Sequence, residues 1–421
     1  MELGPLRAGL HLSFFKQGVL LSLGDIKFKD WSLYPWGMLA RKAIKQNYRP
    51  NQELEGVFDA FRDMVNHCIQ VGLEKEITSR FKLSNEVYGE LHNGLHTWYI
   101  LSAVEKAAAI LKNYRKSMRK NPHTKRPHVS KPFLSIGNQA YTIVDGRLRL
   151  PIKPKQFVYI PLNGHTLDVL SEPSLKLGSV TLLASTLSIA FSKEIAEMEP
   201  TGYIGLDRNL DNMTACSTEG KVERYDLSEC TTVKSTYRAV KSRFRRNDRR
   251  LKKKVFNKYG LLERNRVVQR LHGVSKGIVA EAWSKGYGIV TEKLTGIRKL
   301  YRRGNGQGKN YRARMNSWSY YELQRQIEYK ARWVGLKVIY VSAGKTSSTC
   351  AICGLKILEC AGRKIYCPNC GLADRDVNAA KNILARGVRF APIAPAGEAM
   401  VADPIRKVDA GELILGRGPK T

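Results

Sequence analysis

Cys350-Ala-Ile-Cys353 is followed, after thirteen intervening residues, by Cys367-Pro-Asn-Cys370-Gly371, and directly behind it comes Leu-Ala-Asp374-Arg-Asp376-Val-Asn378-Ala-Ala-Lys-Asn382-Ile. Each CxxC sets two sulfurs on one side of a tight turn, and Gly354 and Gly371 suit that turn. Two such knuckles at this distance predict one closed, tetrahedral zinc ribbon of the structural kind, holding Cys350, Cys353, Cys367 and Cys370. The plainer alternative is a pair of redox or unliganded thiols, but a redox motif needs one CxxC and not two. Cys360 reads as a bystander. Just beyond the ribbon, Asp376 falls at the start of an expected helix, so a carboxylate stands beside the metal site.

The charge of the chain narrows its partner. Lys and Arg number 71 against 37 Asp and Glu, a formal +34 over 421 residues. Such an excess repels itself unless a polyanion offsets it, which makes nucleic acid the leading partner. An anionic membrane fits less well, because the basic residues are spread along the chain and flank no single amphipathic anchor. No apolar run reaches the ~18 to 20 residues that span a bilayer. Leu10 to Leu23 is mildly apolar but broken by His11 and Lys16, so no signal peptide is expected. Five of the eight cysteines lie between 350 and 370, which suits zinc in a reducing compartment better than a disulfide framework.

Upstream, the first forty residues are poorly patterned. Residues 41–50 read as a short basic strand. From 51 to 118 the pattern is helical: Leu54, Val57, Phe58, Phe61, Met64, Val65, Cys68 and Ile69 recur mostly at three- and four-residue spacing, and Leu101, Val104, Ala107 and Leu111 form a second run. The basic segment from Lys112 to Pro132 is a solvated linker or a phosphate-contacting edge. From 132 to 200, short β-rich runs broken by Gly, Pro and Asn suggest a small antiparallel barrel. A new unit begins at Gly202, where Tyr203 to Asp207 is a strand ending in an acid. Residues 232–258 predict a strongly basic helix opposed only by Asp248, and a separate helix is expected at 262–284. On the basic run Arg238, Lys241, Arg245, Arg246, Arg249, Arg250 and Lys253 are the candidate phosphate contacts; a solvated face is the plainer reading. Gly288 to Glu292 is another strand ending in an acid. A helix at 317–334 feeds a strand from Lys337 to Val341. The Gly304–Asn310 loop looks like a phosphate loop, but Asn310 follows its Lys where Ser or Thr is needed, so ATP binding is not supported.

The candidate catalytic residues are three acids, Asp207, Glu292 and Asp376. Each lies at a strand end or helix start in an alternating β/α region. Phosphodiester hydrolysis by two Mg²⁺ ions needs carboxylates from separate elements to converge, and Mg²⁺ prefers such hard oxygen ligands. Singly, an Asp after a strand is more often a turn former or helix cap. Asp374 competes with Asp376 for the third place.

These residues carry a family resemblance. Ile204-Gly-Leu-Asp207-Arg-Asn, Thr291-Glu292-Lys-Leu, and Thr346-Ser-Ser-Thr-Cys350 with its ribbon and the Asp374–Asn382 run resemble the RuvC-type nuclease region of TnpB, the transposon-encoded RNA-guided endonucleases related to type V CRISPR effectors. The resemblance is tight over 200–390 and looser over 41–200. It implies a multidomain α+β and α/β fold. A wedge-like β-barrel (41–50 and 119–200) would carry an inserted helical recognition module (51–118). An RNase H-like RuvC nuclease domain (201–346 and 372–390) would carry the zinc ribbon (347–371). The flanks 1–40 and 391–421 are given no role. It further implies Asp207, Glu292 and Asp376 as first, second and third catalytic acids, with Asp376 preferred over Asp374 for its spacing to Asn378. It implies two catalytic Mg²⁺ and one structural Zn²⁺. The implied partners are a guide RNA and double-stranded target DNA cut beside a short flanking motif, in a cytoplasmic, nucleoid-associated protein of a prokaryotic cell. A miniature CRISPR effector is a close variant. The rival class is a non-cleaving zinc-ribbon regulator of transposition or transcription, which has no chemical need for the full set of acids.

Overall fold

The computed structural model describes residues 38–91, 95–153, 155–244 and 248–390. The C-terminal tail and all but the last three residues of the N-terminal extension lie outside these, as do Arg245 and Arg246 of the basic run.

Strand β1 (Met38–Asn47) starts three residues ahead of the strand expected at Arg41. Helices α1 (Gln52–Glu74), α2 (Arg80–Val87) and α3 (Thr97–Met118) follow before any further strand. α1 starts at Asn51, whose side-chain oxygen accepts from Leu54 N at 3.0 Å. Its buried residues, among them Leu54, Phe58, Phe61, Val65 and Ile69, keep the three-and-four rhythm that lines one helix face. The basic segment behind α3 is pinned down. The Asn66 amide donates to Val129 O at 2.9 Å and accepts from Val129 N at 2.8 Å, while Lys125 and Arg126 stay exposed.

Six strands follow: β2 (Leu134–Ile136), β3 (Thr142–Val144), β4 (Arg147–Lys153), β5 (Gln156–Pro161), β6 (Lys176–Leu182) and β7 (Thr186–Ile195). The short helix α4 (Gly164–Leu170) lies between β5 and β6. They form two antiparallel sheets, β1-β7-β6-β2 and β3-β4-β5. β1 and β7 pair along their whole length, from Met38 opposite Ile195 to Asn47 opposite Thr186. Inward residues of both sheets share one core with α1 and α3, including Phe58, Tyr99, Leu148, Val180 and Ile189. The sequence pattern misses β2, three residues buried throughout and so without alternation, and α4.

The second half is built on β8 (Gly202–Arg208), β9 (Asn212–Ser217), β10 (Val222–Asp226), β11 (Tyr287–Glu292) and β12 (Val338–Val341), in the order β10-β9-β8-β11-β12. β8 to β10 are antiparallel, whereas β11 runs parallel to both β8 and β12. Helices α5 (Ser228–Ser242), α6 (Arg249–Ser284), α7 (Lys309–Asn316) and α8 (Tyr320–Trp333) precede β12, and α9 (Arg375–Phe390) ends the described chain. Ile204, Leu206 and Ile289 pack with Leu271 and Ile278 of α6 and with Leu323 and Ile327 of α8. Tyr203 and Val290 pack instead with Ala380, Ile383 and Leu384 of α9. This is the strand period of two sorting neighbours to opposite faces. Gly205 lets α9 lie close: a Cβ there would fall 2.5 Å from Ala380 O.

The helix boundaries of the basic region are corrected. The sequence pattern predicts one helix over 232–258 and another from 262, yet α5 stops at Ser242 and α6 runs unbroken for 36 residues. Asp248 sets the restart: its Oδ1 accepts from Arg250 N at 2.8 Å and Leu251 N at 3.1 Å. The one acid in the run is a helix cap. Between β12 and α9, strands β13 (Leu358–Glu359), β14 (Lys364–Cys367) and β15 (Gly371–Asp374) form a three-stranded antiparallel ribbon. Among the described residues no helix is long and apolar enough to cross a membrane.

Candidate active site and metal centre

Strand register brings the first two acids together. Thr291 of β11 stands opposite Leu206 of β8, so Asp207 and Glu292 follow side by side at the ends of parallel neighbours, about 4.8 Å apart along the hydrogen-bonding direction. By parity both point to the α9 face, with Tyr203 and Val290. Asp376 enters from the first turn of α9, which lies over that face. The three acids line one open cleft together with Asn209, Trp318, Thr346, Arg375 and Ala379. All three are buried, at 8%, 7% and 4% relative exposure, so the cleft draws carboxylates out of water.

Each carboxylate is held differently. Asp207 Oδ2 accepts from Asn209 Nδ2 at 2.7 Å. Burial first, then the nearby Glu292 and Asp376 charges, push the Asp207 carboxyl up to about 7, against the Asn209 hydrogen bond. Glu292 Oε1 accepts from Thr346 Oγ1 at 2.5 Å, and burial raises its pKa as well. Asp376 Oδ1 is gripped by Arg363, with Nη2 at 2.7 Å and Nε at 3.3 Å. Among the described residues no Lys or Arg is ion-paired to Asp207 or Glu292; the field of Arg363 reaches Asp207, and those of Arg208 and Arg386 reach Glu292, so both remain buried oxygens of the kind a hard cation offsets. Asp374 has another task. Its Oδ1 caps α9 by accepting from Asp376 N and Val377 N, both at 3.0 Å, and its Oδ2 pairs with Arg224 at 2.6 Å.

The four cysteines converge. The sulfurs of Cys350, Cys353, Cys367 and Cys370 all lie within 4.8 Å of one another, and among the described residues this is the group of three or more metal-ligating side chains that meets that limit. A Zn–S bond of about 2.3 Å puts tetrahedral sulfurs about 3.8 Å apart, so the group fits a four-thiolate ion. Cys360 is exposed and outside the group. Two asparagines one turn apart on α9 weld the ribbon's base to the acid cleft. Asn378 accepts from Ala351 N at 2.7 Å and donates to Thr349 O at 2.8 Å, and Asn382 donates to Thr346 O and Thr349 O, each at 2.9 Å.

Two arginines escape the sequence reading. Arg363 gives no local signal: it reads as one more ribbon cation. Arg208 follows Asp207 and is buried on the opposite sheet face, where burial lowers its pKa to about 10. Its Nη1 donates to Gln324 Oε1 at 2.7 Å and Tyr320 O at 3.3 Å, and its Nη2 donates to Glu292 O. In the sequence Arg208 shows only as a charged residue that ends the run Gly202–Asp207; its burial within a strand of seven buried residues is visible in the structure alone.

Of the predicted phosphate contacts, Arg249, Arg250 and Lys253 are exposed at the start of α6. Arg238 and Lys241 line a separate open cleft with Lys234, Arg314, Asp211 and Glu263. Lys241 is paired there with Glu263 at 2.6 Å. Of the aromatic residues in the helical half, Tyr99 is core, whereas Tyr88 and Trp98 are exposed.

Residues 320–383 match the family described as Cas12f1-like, TNB domain, and residues 57–151 match the uncharacterized protein MJ0013 family. The TnpB-like protein MJ0751 of Methanocaldococcus jannaschii is 30% identical over 251 residues, 56% of this chain and 89% of that protein. The CRISPR-associated endodeoxyribonuclease Cas12f1 of Sulfoacidibacillus thermotolerans is 37% identical over 116 residues, 27% of this chain and 25% of that one. Among solved structures, the mini-RNA-guided endonuclease CRISPR-Cas phi3 superposes with a TM-score of 0.51 at 11% identity, covering 85% of this chain and 94% of that one, a likeness of fold alone. Fold and cysteine group together define a multidomain, mixed α+β protein with a four-cysteine cluster fit to bind zinc. The chain belongs to the TnpB family, which is related to the type V CRISPR effectors.

Proposed function

We propose that this protein is an RNA-guided DNA endonuclease whose RuvC-like site cuts DNA by metal-ion hydrolysis beside a short flanking motif. The observation that carries the reading is the convergence of Asp207, Glu292 and Asp376 on one cleft. A five-stranded sheet with acids at adjacent strand ends and a third on the covering helix is what an RNase H-like nuclease needs. Two Mg²⁺ ions bound there would polarise the scissile phosphate and supply an activated water. The chain's own part is to hold the oxygens. Asn209 orients Asp207, Thr346 orients Glu292, Asp374 fixes the turn that presents Asp376, and Arg375 lines the cleft where a phosphate would enter. The four thiolates would hold one Zn²⁺ and keep the ribbon folded beside that helix.

The +34 charge supports a polyanionic partner, and the proteins it resembles include some named as RNA-guided DNA endonucleases. We read the two antiparallel sheets as the wedge-like barrel and α1 to α3 as the recognition module inserted into it. Guide RNA pairing would supply the sequence specificity and the protein would hold the duplex by its backbone. A non-cleaving regulator has no use for three buried acids that cost desolvation energy.

The test is cleavage of plasmids that carry a guide-matched target beside a randomised flank, using protein purified with RNA transcribed from its own locus, in Mg²⁺. Guide-dependent cutting that is lost in Asp207→Ala is expected. Tight RNA-dependent binding without cutting by the wild type would shift the reading to a regulator.

A further inference from the structure

Where α8 ends, the two halves of the chain meet across a tryptophan. The Trp333 ring has Lys42 Nζ 4.0 Å and Lys193 Nζ 4.5 Å from its centroid, with Phe191 edge-on at 5.7 Å. Lys42 and Lys193 stand on paired strands: Lys42 is opposite Phe191, and Lys193 opposite Ala40. Their ammonium groups therefore converge from diagonal positions of β1 and β7 onto one ring. One turn before Trp333, Lys330 donates through Nζ to His272 O and Ser275 Oγ on α6, both at 2.7 Å. Lys276 follows Ser275 and is exposed.

Three ammonium groups from β1, β7 and α8 thus gather at one joint, with Lys276 of α6 next in sequence to the Ser275 that Lys330 bonds, and little opposes them. Glu172 lies 3.4 Å from Lys193. Among the described residues no carboxylate is within ion-pair reach of Lys42, Lys276 or Lys330. The groups feel one another. Burial and Lys193 lower Lys42 to about 8, with Glu172 opposing, and burial, Lys42 and Lys276 lower Lys330 to about 8. An indole face is a weak partner for an ammonium, about 0.5 to 2 kcal/mol, and two lysines share this one. A half-buried cluster of point charges with Glu172 as its one close counter-charge costs stability, and an anion with several oxygens would offset that cost.

We propose that this joint is a phosphodiester-binding site that takes the backbone of a bound nucleic-acid strand across the seam where the β1–β7 sheet packs on α8, beside α6. The proposal rests on the nucleic-acid reading above and adds to it a place. α8 carries this joint at its C-terminal end, while Arg208 ties its N-terminal end, through Tyr320 O, to the backbone of Glu292. A strand seated at the joint therefore bears on the helix that supports the acid cleft.

The experiment compares wild type with Lys42→Gln/Lys276→Gln, and with Lys276→Gln alone, whose exposed position keeps folding out of the question. Affinity is measured across a KCl series for RNA from the protein's own locus, and separately for a guide-matched duplex added to the preformed complex. Each lysine–phosphate pair removed makes the slope of log affinity against log salt shallower by about 0.7 to 0.9. The double variant is expected to flatten it by about 1.4 to 1.8 and the single by half that. The arm that changes names the strand, RNA or DNA. The melting temperature without nucleic acid is expected to hold or rise. An unchanged slope in both arms, beside a steep wild-type slope, overturns the site. A wild type with no salt-dependent binding at all overturns the functional reading as well.

Discussion

Arg363 of the ribbon reaches into the acid cleft and holds Asp376, Nη2 to Oδ1 at 2.7 Å. The ribbon is therefore part of the electrostatics of the cleft as well as its neighbour. Arg363 sits at φ 63° directly after Gly362 at φ 69°, a left-handed pair that is strained for an arginine and persists where the contact it makes offsets the cost. Arg363→Ala leaves a buried carboxylate beside two others. Breaking a buried pair costs about 3 to 5 kcal/mol. Because Arg363 is 40% exposed, we expect about 1 to 3 kcal/mol in EDTA, read by urea unfolding. Adding Asp376→Asn should restore most of the loss. Wild-type stability in the single variant would mean that the contact is incidental.

Asp207→Asn is expected to separate stability from activity. It removes a charge that burial and the nearby Glu292 and Asp376 carboxylates make costly, so the metal-free protein should melt higher, while guide-dependent cleavage disappears. Melting curves in EDTA and plasmid cleavage in Mg²⁺ read the two effects. A variant that melts lower in EDTA would show that the Asn209 hydrogen bond outweighs the repulsion.

Much of this site was legible because its determinants are local. The two CxxC knuckles carry their geometry in their spacing, and Asp207 and Glu292 each end an apolar run, which fixes strand, face and end at once. The preference for Asp376 over Asp374 rests on its spacing to Asn378 and not on local geometry, and the capping role of Asp374 is something only the structure displays. Arg363 and Arg208 were not legible. Their partners are Asp376, 13 residues away, and the backbone of Glu292, 84 residues away. The basic helix was misdivided for a related reason: charge is a poor marker of helix ends, and the lone acid Asp248 marked the real one. Lys42 and Trp333 are nearly three hundred positions apart, so nothing in either stretch announces their contact.

Removing one ribbon thiolate should unfold the ribbon and silence the acids it supports. Ile357 and Ile365 are buried among the cysteines, a core too small to stand without the metal. Cys367→Ser is expected to drop zinc well below one per chain by plasma mass spectrometry and to abolish cleavage. Cys360→Ser, outside the group, should leave both unchanged. Full zinc occupancy in Cys367→Ser would exclude the four-thiolate assignment.

Lys42 gives a pH signature. Its folded pKa of about 8 lies below the ordinary 10.5, so below pH 8 both folded and unfolded chains carry the proton and the fold bears the whole cost. Between about 8 and 10.5 the unfolded chain binds more protons, so this group makes stability rise with pH, and above 10.5 both forms are neutral. Lys42→Met should therefore compare more favourably with wild type at pH 7 than at pH 10.5. Half-exposure limits the difference to about 1 kcal/mol. An identical difference at both pH values would contradict the crowding of lysines at Trp333.

Arg208 should act on cleavage through Glu292. Its guanidinium spans the end of β11 and the first turns of α8, bonding Glu292 O, Tyr320 O and Gln324, while its Nε has no partner among the described residues. Arg208→Met keeps the buried stem and removes every one of those bonds. A buried acceptor left unpaired costs about 1 to 3 kcal/mol. The larger consequence is positional, because the Glu292 carboxylate takes its direction from a backbone that is no longer tied down. If Glu292 acts as proposed, cleavage should fall at least about tenfold while RNA and target binding hold, since a displaced carboxylate costs rate before affinity. Gel-shift titration and single-turnover cleavage on the same preparation decide it. Parallel loss of binding and cleavage would mean that Arg208 only keeps the sheet folded; selective loss of cleavage places it with Asn209 and Thr346 among the residues that aim the acids.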